Sequence, residues 1–482
     1  MQRSFVSLLI TAALLAPVLA SPFKSPQNER IGYISYEDAK PMLAMLNDTL
    51  PAELRSADAQ KMPAIWADWV ARRNDEIRKR LATGDEDSLI NFLLFGTSFT
   101  NNPRITLASL AKIAGQQYST ASEETKPIFK TLNARIDDLV RGIAAPGANE
   151  RVLFARRLIE KKGYDPRSAS NQGRIKDYLS ENLNRMLKEQ AAYARLLESA
   201  RLLGDPSAEF AERSKLYSAR GLSSDTSILP NYAIEKALVS IKAQGFISPG
   251  AVRRVAIIGP GLDFTDKEDG YDFYPQQTIQ PFAIVDTLLR TGLATANDLR
   301  VTTLDLSPRV NEHLRLARQR ARRGGAYTIQ LPRDANGRWK PEAVDYWAHF
   351  GDRIGQPSVP VEAPRGIGEL KIRAVRVRSS VVSLITPEDV NIVLQHLRLP
   401  NAELFDLVIA TNIFVYYDVF EQSLALANVK KMLRPGGLLL SNNALLELPA
   451  SGMHSIGYET VVYSDRPDHG DHIVWYQREI PR

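Results

Sequence analysis

Cysteine is absent from this chain, which excludes disulfides, thiolate metal sites and cysteine nucleophiles together. Histidine is scarce, six in all, and only His469 and His472 stand close together. With Asp468 and Asp471 beside them they are open to a metal-site reading. No third well-spaced ligand accompanies them, so a hairpin turn is preferred and no metal is expected. Charge of one sign is not in large excess: 61 Lys and Arg face 55 Asp and Glu, a formal net charge of +6. Over this length that balance does not argue for nucleic acid. The densest basic run, Arg315–Arg323, spreads its arginines round a helix, the pattern of a solvated face rather than a phosphate-binding patch. Long apolar runs are missing beyond the N-terminus, so no later segment is read as crossing a bilayer. What remains is ordinary globular composition, 44% hydrophobic and 24% charged. The length of 482 residues suggests two or three domains.

The N-terminus differs from the rest. A basic start, Met1-Gln2-Arg3, precedes an apolar segment, Ser4–Ala20, that ends Val18-Leu19-Ala20 before Ser21. This order predicts a secretory signal peptide over residues 1–20 and an exported protein, periplasmic or secreted. A membrane anchor through residues 4–20 is the alternative, although the run is short and carries Pro17.

Residues 21–247 read as an all-α domain. Trp66, Trp69 and Val70 alternate with charged positions in a helix expected to close at Gly84, and Ser88–Phe95 continues with an apolar face. Ile128–Val140, Ala148–Lys162 and Gly173–Leu203 are further amphipathic helices, the last with Ile175, Leu179, Leu183, Met186, Tyr193 and Leu197 at helical spacing. Their apolar stripes are read as core. Tyr217–Tyr232 lacks periodicity and is dense in Ser, Gly and Pro, which fits a lid over a ligand or a plain linker equally.

Residues 248–482 change character. Strands at Val255–Ile258, Arg300–Leu304, Val375–Val382, Leu407–Ala410 and Leu438–Leu440 alternate with helices at Ile279–Thr291, Val310–Arg323, Asp389–Leu397 and Asp418–Leu433. That order argues for an α/β fold with a doubly wound, mostly parallel sheet. Tyr458–Tyr463 and His472–Arg478 have period two and predict a terminal antiparallel hairpin. An insertion at about 326–372, with Trp339, Trp347 and Phe350, shows little sheet-forming order; it either shapes a substrate pocket or is an inert elaboration.

One stretch is more specific. Leu404–Asn443 runs LFDLVIATNIFVYYDVFEQSLALANVKKMLRPGGLLLSNN: an apolar strand, the polar exit Thr411-Asn412, an aromatic run, a helix, the turn Pro435–Gly437 and a second apolar strand. It resembles the second half of a class I S-adenosylmethionine (SAM)-dependent methyltransferase, and a terminal antiparallel hairpin suits that family too. ATNIFVYYD is also loosely similar to the matching stretch of chemotaxis-receptor glutamate methyltransferases. The resemblance covers Arg253–Arg482, and no family resemblance is apparent for the helical half.

Site residues follow from motif and resemblance together. Gly259-Pro260-Gly261 ends the first strand as a GxG turn, where glycine lets backbone approach a ligand. The third glycine of a dinucleotide fingerprint is missing, with Phe264 in its neighbourhood, which counts against a dehydrogenase. The family prefers an acid two residues before the first glycine, where this chain has Ile257; Asp263 or Asp266 is then the expected carboxylate. Asp305, with Leu306, ends the second strand, where an acid accepts hydrogen bonds from both ribose hydroxyls; capping of the next helix is the competing reading. Asp389-Val390 matches the family's position for an acid near the adenine amino group, again against helix capping, here by Thr386 and Asp389. Thr411 and Asn412 are implied to face the cofactor and the transferred methyl. Asn412, Tyr416 and Tyr417 are the catalytic candidates, with Asp418 beside them, and buried packing is the alternative for the tyrosines. The expected function is SAM-dependent methyl transfer to an unidentified acceptor. The alternative is a non-catalytic exported envelope protein that retains a methyltransferase-like fold.

Overall fold

The computed structural model describes residues 30–56, 58, 60–113, 121–203, 221–222, 228–265, 271–364, 367–466 and 469–480. The expected signal peptide, Asp266 and much of the 217–232 segment lie outside them.

Seven strands form the central sheet. Five are parallel: β2 (Arg254–Ile258), β3 (Arg300–Asp305), β7 (Ile385–Asp389), β9 (Phe405–Ala410) and β10 (Leu433–Ser441). The hairpin β11 (Met453–Val462) and β12 (Gly470–Arg478) closes one side, with β12 antiparallel to β10. Across the sheet the order is β11-β12-β10-β9-β2-β3-β7. In chain order of the seven this is 6-7-5-4-1-2-3, the class I methyltransferase-like arrangement that the C-terminal motifs imply.

The alternation of side chains along a strand explains why these short runs are almost wholly apolar. Val255, Ile257, Leu407, Ile409, Leu438 and Leu440 enter one core with helices α6 (Leu229–Ala243), α7 (Gln280–Arg290) and α8 (Pro308–Arg322). Ala256, Ile258, Val408, Ala410 and Leu439 enter the other, against α10 (Val419–Met432). A strand buried on both faces has no polar period to keep.

The N-terminal segment helps to build that second core. Met42 and Leu43 of α1 (Tyr36–Met45) and Trp66, Trp69, Val70 and Ile77 of α2 (Met62–Phe95) pack with the sheet's own residues. A short strand β1 (Ile31–Tyr33) pairs antiparallel with β8 (Gln395–Leu397). The remaining helices, α3 (Lys126–Ala144), α4 (Glu150–Lys161) and α5 (Ala169–Leu203), share a separate core with the end of α2, and Phe264 of the C-terminal half enters it.

Four expectations change. Gly84 does not close its helix, because α2 runs through it to Phe95. Glycine is required there since a Cβ would collide with the backbone carbonyl of Leu222, and one on Gly221 would collide with Gly84 in return. The third parallel strand is Ile385–Asp389; Val375–Val382 is split between the end of β6 (Leu370–Val377) and a short helix, Ser379–Leu384. Asp389–Leu397 is not a helix but a strand end, a turn and β8. The insertion is ordered: β4 (Tyr327–Asp334), β5 (Gly355–Ser358) and β6 (Leu370–Val377) form an antiparallel sheet in the order β4-β6-β5. Helix α9 (Pro341–His349) belongs to the same insertion, and its Tyr346 and Trp347 join the main core.

Candidate cofactor crevice

In an open α/β sheet, ligands sit beyond the carboxyl ends of the strands where the order reverses, here between β2 and β9. Strand β2 ends in a turn whose glycines both have positive φ, 62° at Gly259 and 65° at Gly261, a conformation that costs other residues strain. The Gly259 amide donates to the Leu304 carbonyl at 2.8 Å, tying the turn to β3. One side of Gly259 is covered, because a Cβ there would collide with the Ile413 side chain. Ile257 is fully buried in the apolar core beneath the turn, a place where a carboxylate would stand desolvated.

Asp305 ends β3 next to this turn. Its carboxyl accepts from the amides of Ser307, at 2.7 Å, and Gly261, and the residue is only 8% exposed. Burial pushes its pKa up to about 7 against the pull of those amides; Asp389 pushes the same way and Arg309 opposes. Asp305 and Asp389 are register partners on β3 and β7, so two carboxylates share the strand ends. Asp389 keeps a half-exposed side chain, 2.8 Å from an Arg78 guanidinium nitrogen. Leu306 and Val390 are buried beside them.

The other expected residues fall into two groups. Thr411 and Asn412 do end β9. Thr411 accepts from Gln280 at 2.7 Å, and Asn412 is exposed, with φ of 58°. Asp263 is used elsewhere: its carboxylate accepts from Tyr274 and Gln277, each at 2.8 Å, and its own amide donates to the Gln277 carbonyl. It braces its loop rather than offering an open carboxylate. Tyr417 is 3% exposed, and burial raises its pKa, which suits packing and not proton abstraction. Tyr416 is partly buried and its carbonyl accepts from Arg80 at 2.8 Å. Asp418 caps α10 in a reciprocal pair with Glu421. Burial and the Glu421 carboxylate raise its pKa.

Several residues at this edge were not expected from sequence. From α2, Arg78 reaches Asp389, Arg80 reaches Tyr416, and Asn74 bonds Asn391 at 3.0 Å. Arg73 pairs with the buried Glu421 at 2.7 Å. On α4, the buried Arg151 donates to the carbonyls of Asp263, Phe264 and Tyr274. The N-terminal helices therefore frame the crevice. Nothing in the local sequence marks these cations, and only the fold brings them to this edge. A groove of about 700 Å³ between Ser98, Asn149, Arg151, Asp272, Tyr274 and Glu362 includes none of the strand-end residues.

No protein-family model matches the sequence, and no curated protein matches it significantly. Solved structures that align with it include the N-methyltransferase NodS from Bradyrhizobium japonicum WM9, 15% identical over 51% of this chain and 95% of that one, TM-score 0.26. Another is magnesium protoporphyrin IX methyltransferase from Synechocystis PCC 6803 with bound SAM, 11% identical over 60% and 97%, TM-score 0.25. The [4+2]-cyclase SpnF also aligns, 12% identical over 51% and 82%, TM-score 0.24. The fold assignment rests on the strand order and not on these overlays.

Proposed function

We propose that the crevice at the carboxyl ends of β2, β3, β7 and β9 binds SAM and that residues 248–482 transfer its methyl group to an acceptor. The observation that carries this is Asp305: a carboxyl held at the end of the second strand by the Gly261 amide, against a glycine turn with left-handed backbone. In this reading Gly259, Pro260 and Gly261 meet the amino-acid part of the cofactor. Asp305 and Leu306 hold the ribose, Asp389 and Val390 border the adenine, and Thr411 and Asn412 face the methyl group. The sulfonium supplies an already activated methyl. The chain has only to hold donor and acceptor in line and exclude water.

A second reading has its own support. Ile413 covers one side of Gly259 and Asp305 is largely buried, as in a fold kept without catalysis, the non-catalytic envelope protein of the alternative. Melting curves with and without millimolar SAM separate the two. A rise in Tm that is lost in Asp305→Ala supports the enzyme, and no rise supports the alternative.

We also propose that residues 1–20 act as an export signal. SAM is a cytoplasmic metabolite, so export and methyl transfer pull in opposite directions. Fractionation that locates the mature chain decides between them.

A further inference from the structure

Asn412 is the only non-glycine with positive φ among the described residues. Such a conformation is strained for a side-chain-bearing residue and persists only where surroundings hold it. Here the Asn412 amide donates to Oδ1 of Asn442 at 2.7 Å, and Nδ2 of Asn442 donates back to Oδ1 of Asn412 at 2.7 Å. The same Nδ2 donates to Oδ1 of Asp471 at 3.0 Å, and the Tyr463 hydroxyl donates to the other carboxylate oxygen at 2.5 Å. The chain of contacts links the end of β9, the end of β10 and β12.

The polarity of this network is fixed from both ends. A backbone N–H only donates and an ionised carboxylate only accepts. Asn442 must therefore turn its oxygen to the Asn412 amide and its NH2 group to Asp471. That NH2 group also meets Asn412 on the side-chain oxygen, so the network holds the exposed Asn412 side chain by its oxygen and does not use its Nδ2 donors. The amide orientations follow from the partners and need no choice between nitrogen and oxygen.

We propose that Asn442 and Asp471 are positioning residues that hold Asn412 with its N–H groups toward the reacting methyl, and that the acceptor is a carboxylate. This rests on the SAM reading above. A donor-presenting side chain orients an oxygen nucleophile, whereas an amine losing a proton needs an acceptor there. Two of the nearby candidate bases fit the same conclusion: Asp418 is occupied in its helix cap and Tyr417 is buried. A carboxylate is ionised at neutral pH and needs no base. One of its oxygens attacks the methyl carbon and the C–S bond breaks with its electron pair going to sulfur. The products are a methyl ester and S-adenosylhomocysteine, and no proton is released.

The test compares sinefungin, in which an ammonium on carbon replaces the methylsulfonium, with S-adenosylhomocysteine by calorimetry. In the double variant Asn442→Asp/Asp471→Asn the net charge is kept, but the new carboxylate demands a donor and turns the Asn412 amide round. The ratio of sinefungin Kd to S-adenosylhomocysteine Kd is expected to fall about tenfold. Asn442→Ala, which frees the amide to rotate, is expected to lower the ratio severalfold and decides the matter if the double variant does not fold. A ratio unchanged in a variant that still binds S-adenosylhomocysteine overturns the positioning role, because a merely structural defect weakens both ligands alike. Titration of the wild-type S-adenosylhomocysteine complex with acetate and with methylammonium, at matched ionic strength, reads the acceptor side. Acetate should raise Tm further and methylammonium should not; the reverse order overturns the carboxylate. Loss of S-adenosylhomocysteine binding by the wild type itself would remove the SAM reading and this proposal with it.

Discussion

If the proposed SAM site is right, Asp305 makes cofactor affinity a function of pH. In that reading ribose hydroxyls donate to the ionised carboxylate, and in the free protein that carboxyl has a pKa pushed up to about 7 by burial and by Asp389. Binding must then supply the ionisation. The apparent Kd scales as one plus the ratio of protonated to ionised carboxyl, so affinity weakens about elevenfold from its plateau at one pH unit below the pKa. At one unit above, it lies within about a tenth of the plateau. The assay is calorimetry with 5′-methylthioadenosine between pH 5.5 and 8.5, which keeps the ribose and adenine but lacks the titrating amino acid of SAM. Affinity should rise with pH through about 7 in the wild type. It should be weak and flat in Asp305→Asn. Stability of the free protein should move the opposite way. The folded pKa is raised above the ordinary value of about 4, so the folded state holds the extra proton, and this contribution is lost as pH rises from about 4 through about 7. A pH-independent affinity in the wild type would refute the ribose role of Asp305 or the burial argument behind its pKa.

Other predictions rest on single contacts. Gly84→Ala should destabilise by about 2 kcal/mol or more in urea unfolding, because the methyl meets backbone and not a movable side chain; an unchanged midpoint would mean that the 221–222 crossing is not formed. Arg151→Met should cost about 3 kcal/mol by leaving buried carbonyls of Asp263, Phe264 and Tyr274 without their donor, and Arg151→Lys should not restore it, since one ammonium cannot reproduce the planar fork. Asp389→Ala should weaken adenosine-containing ligands while slightly lowering the pKa of Asp305, since a neighbouring negative charge is removed; the pH profile above reads both. Expression in a Gram-negative host should yield a mature chain beginning at Ser21, read by intact mass, if residues 1–20 are a cleaved leader.

The strands buried on both faces were legible because nothing else explains runs such as Val255–Ile258 or Leu407–Ala410. The hairpin was legible from its period of two. β7 was not: Ile385-Thr-Pro-Glu-Asp389 is polar for a sheet strand, and the more strand-like Val375–Val382 nearby drew the assignment. β7 tolerates this composition because it is the edge of the sheet, where proline loses no ladder bond on its open side. Gly84 looked like a helix end because sequence shows the cost of glycine in a helix and not the backbone that crosses it. In the crevice, Asp305 could be placed by its strand end alone. Asn442 and Asp471 carried no local signal, since their meaning lies in what the pairing of β9, β10 and β12 brings within reach of Asn412. The role of Asp263 was missed for the same reason, as its partners Tyr274 and Gln277 belong to the turn that it braces.

The pairing of Ile31–Tyr33 with Gln395–Leu397 sets an order of events in synthesis. On a ribosome, Ile31–Tyr33 wait for most of the chain to emerge before their partner exists, and the tryptophans of α2 wait with them for the sheet that covers them. Such distant contacts slow folding and prolong exposure of apolar surface. A nascent chain so delayed stays open for that interval, its apolar faces uncovered until the last strands are made.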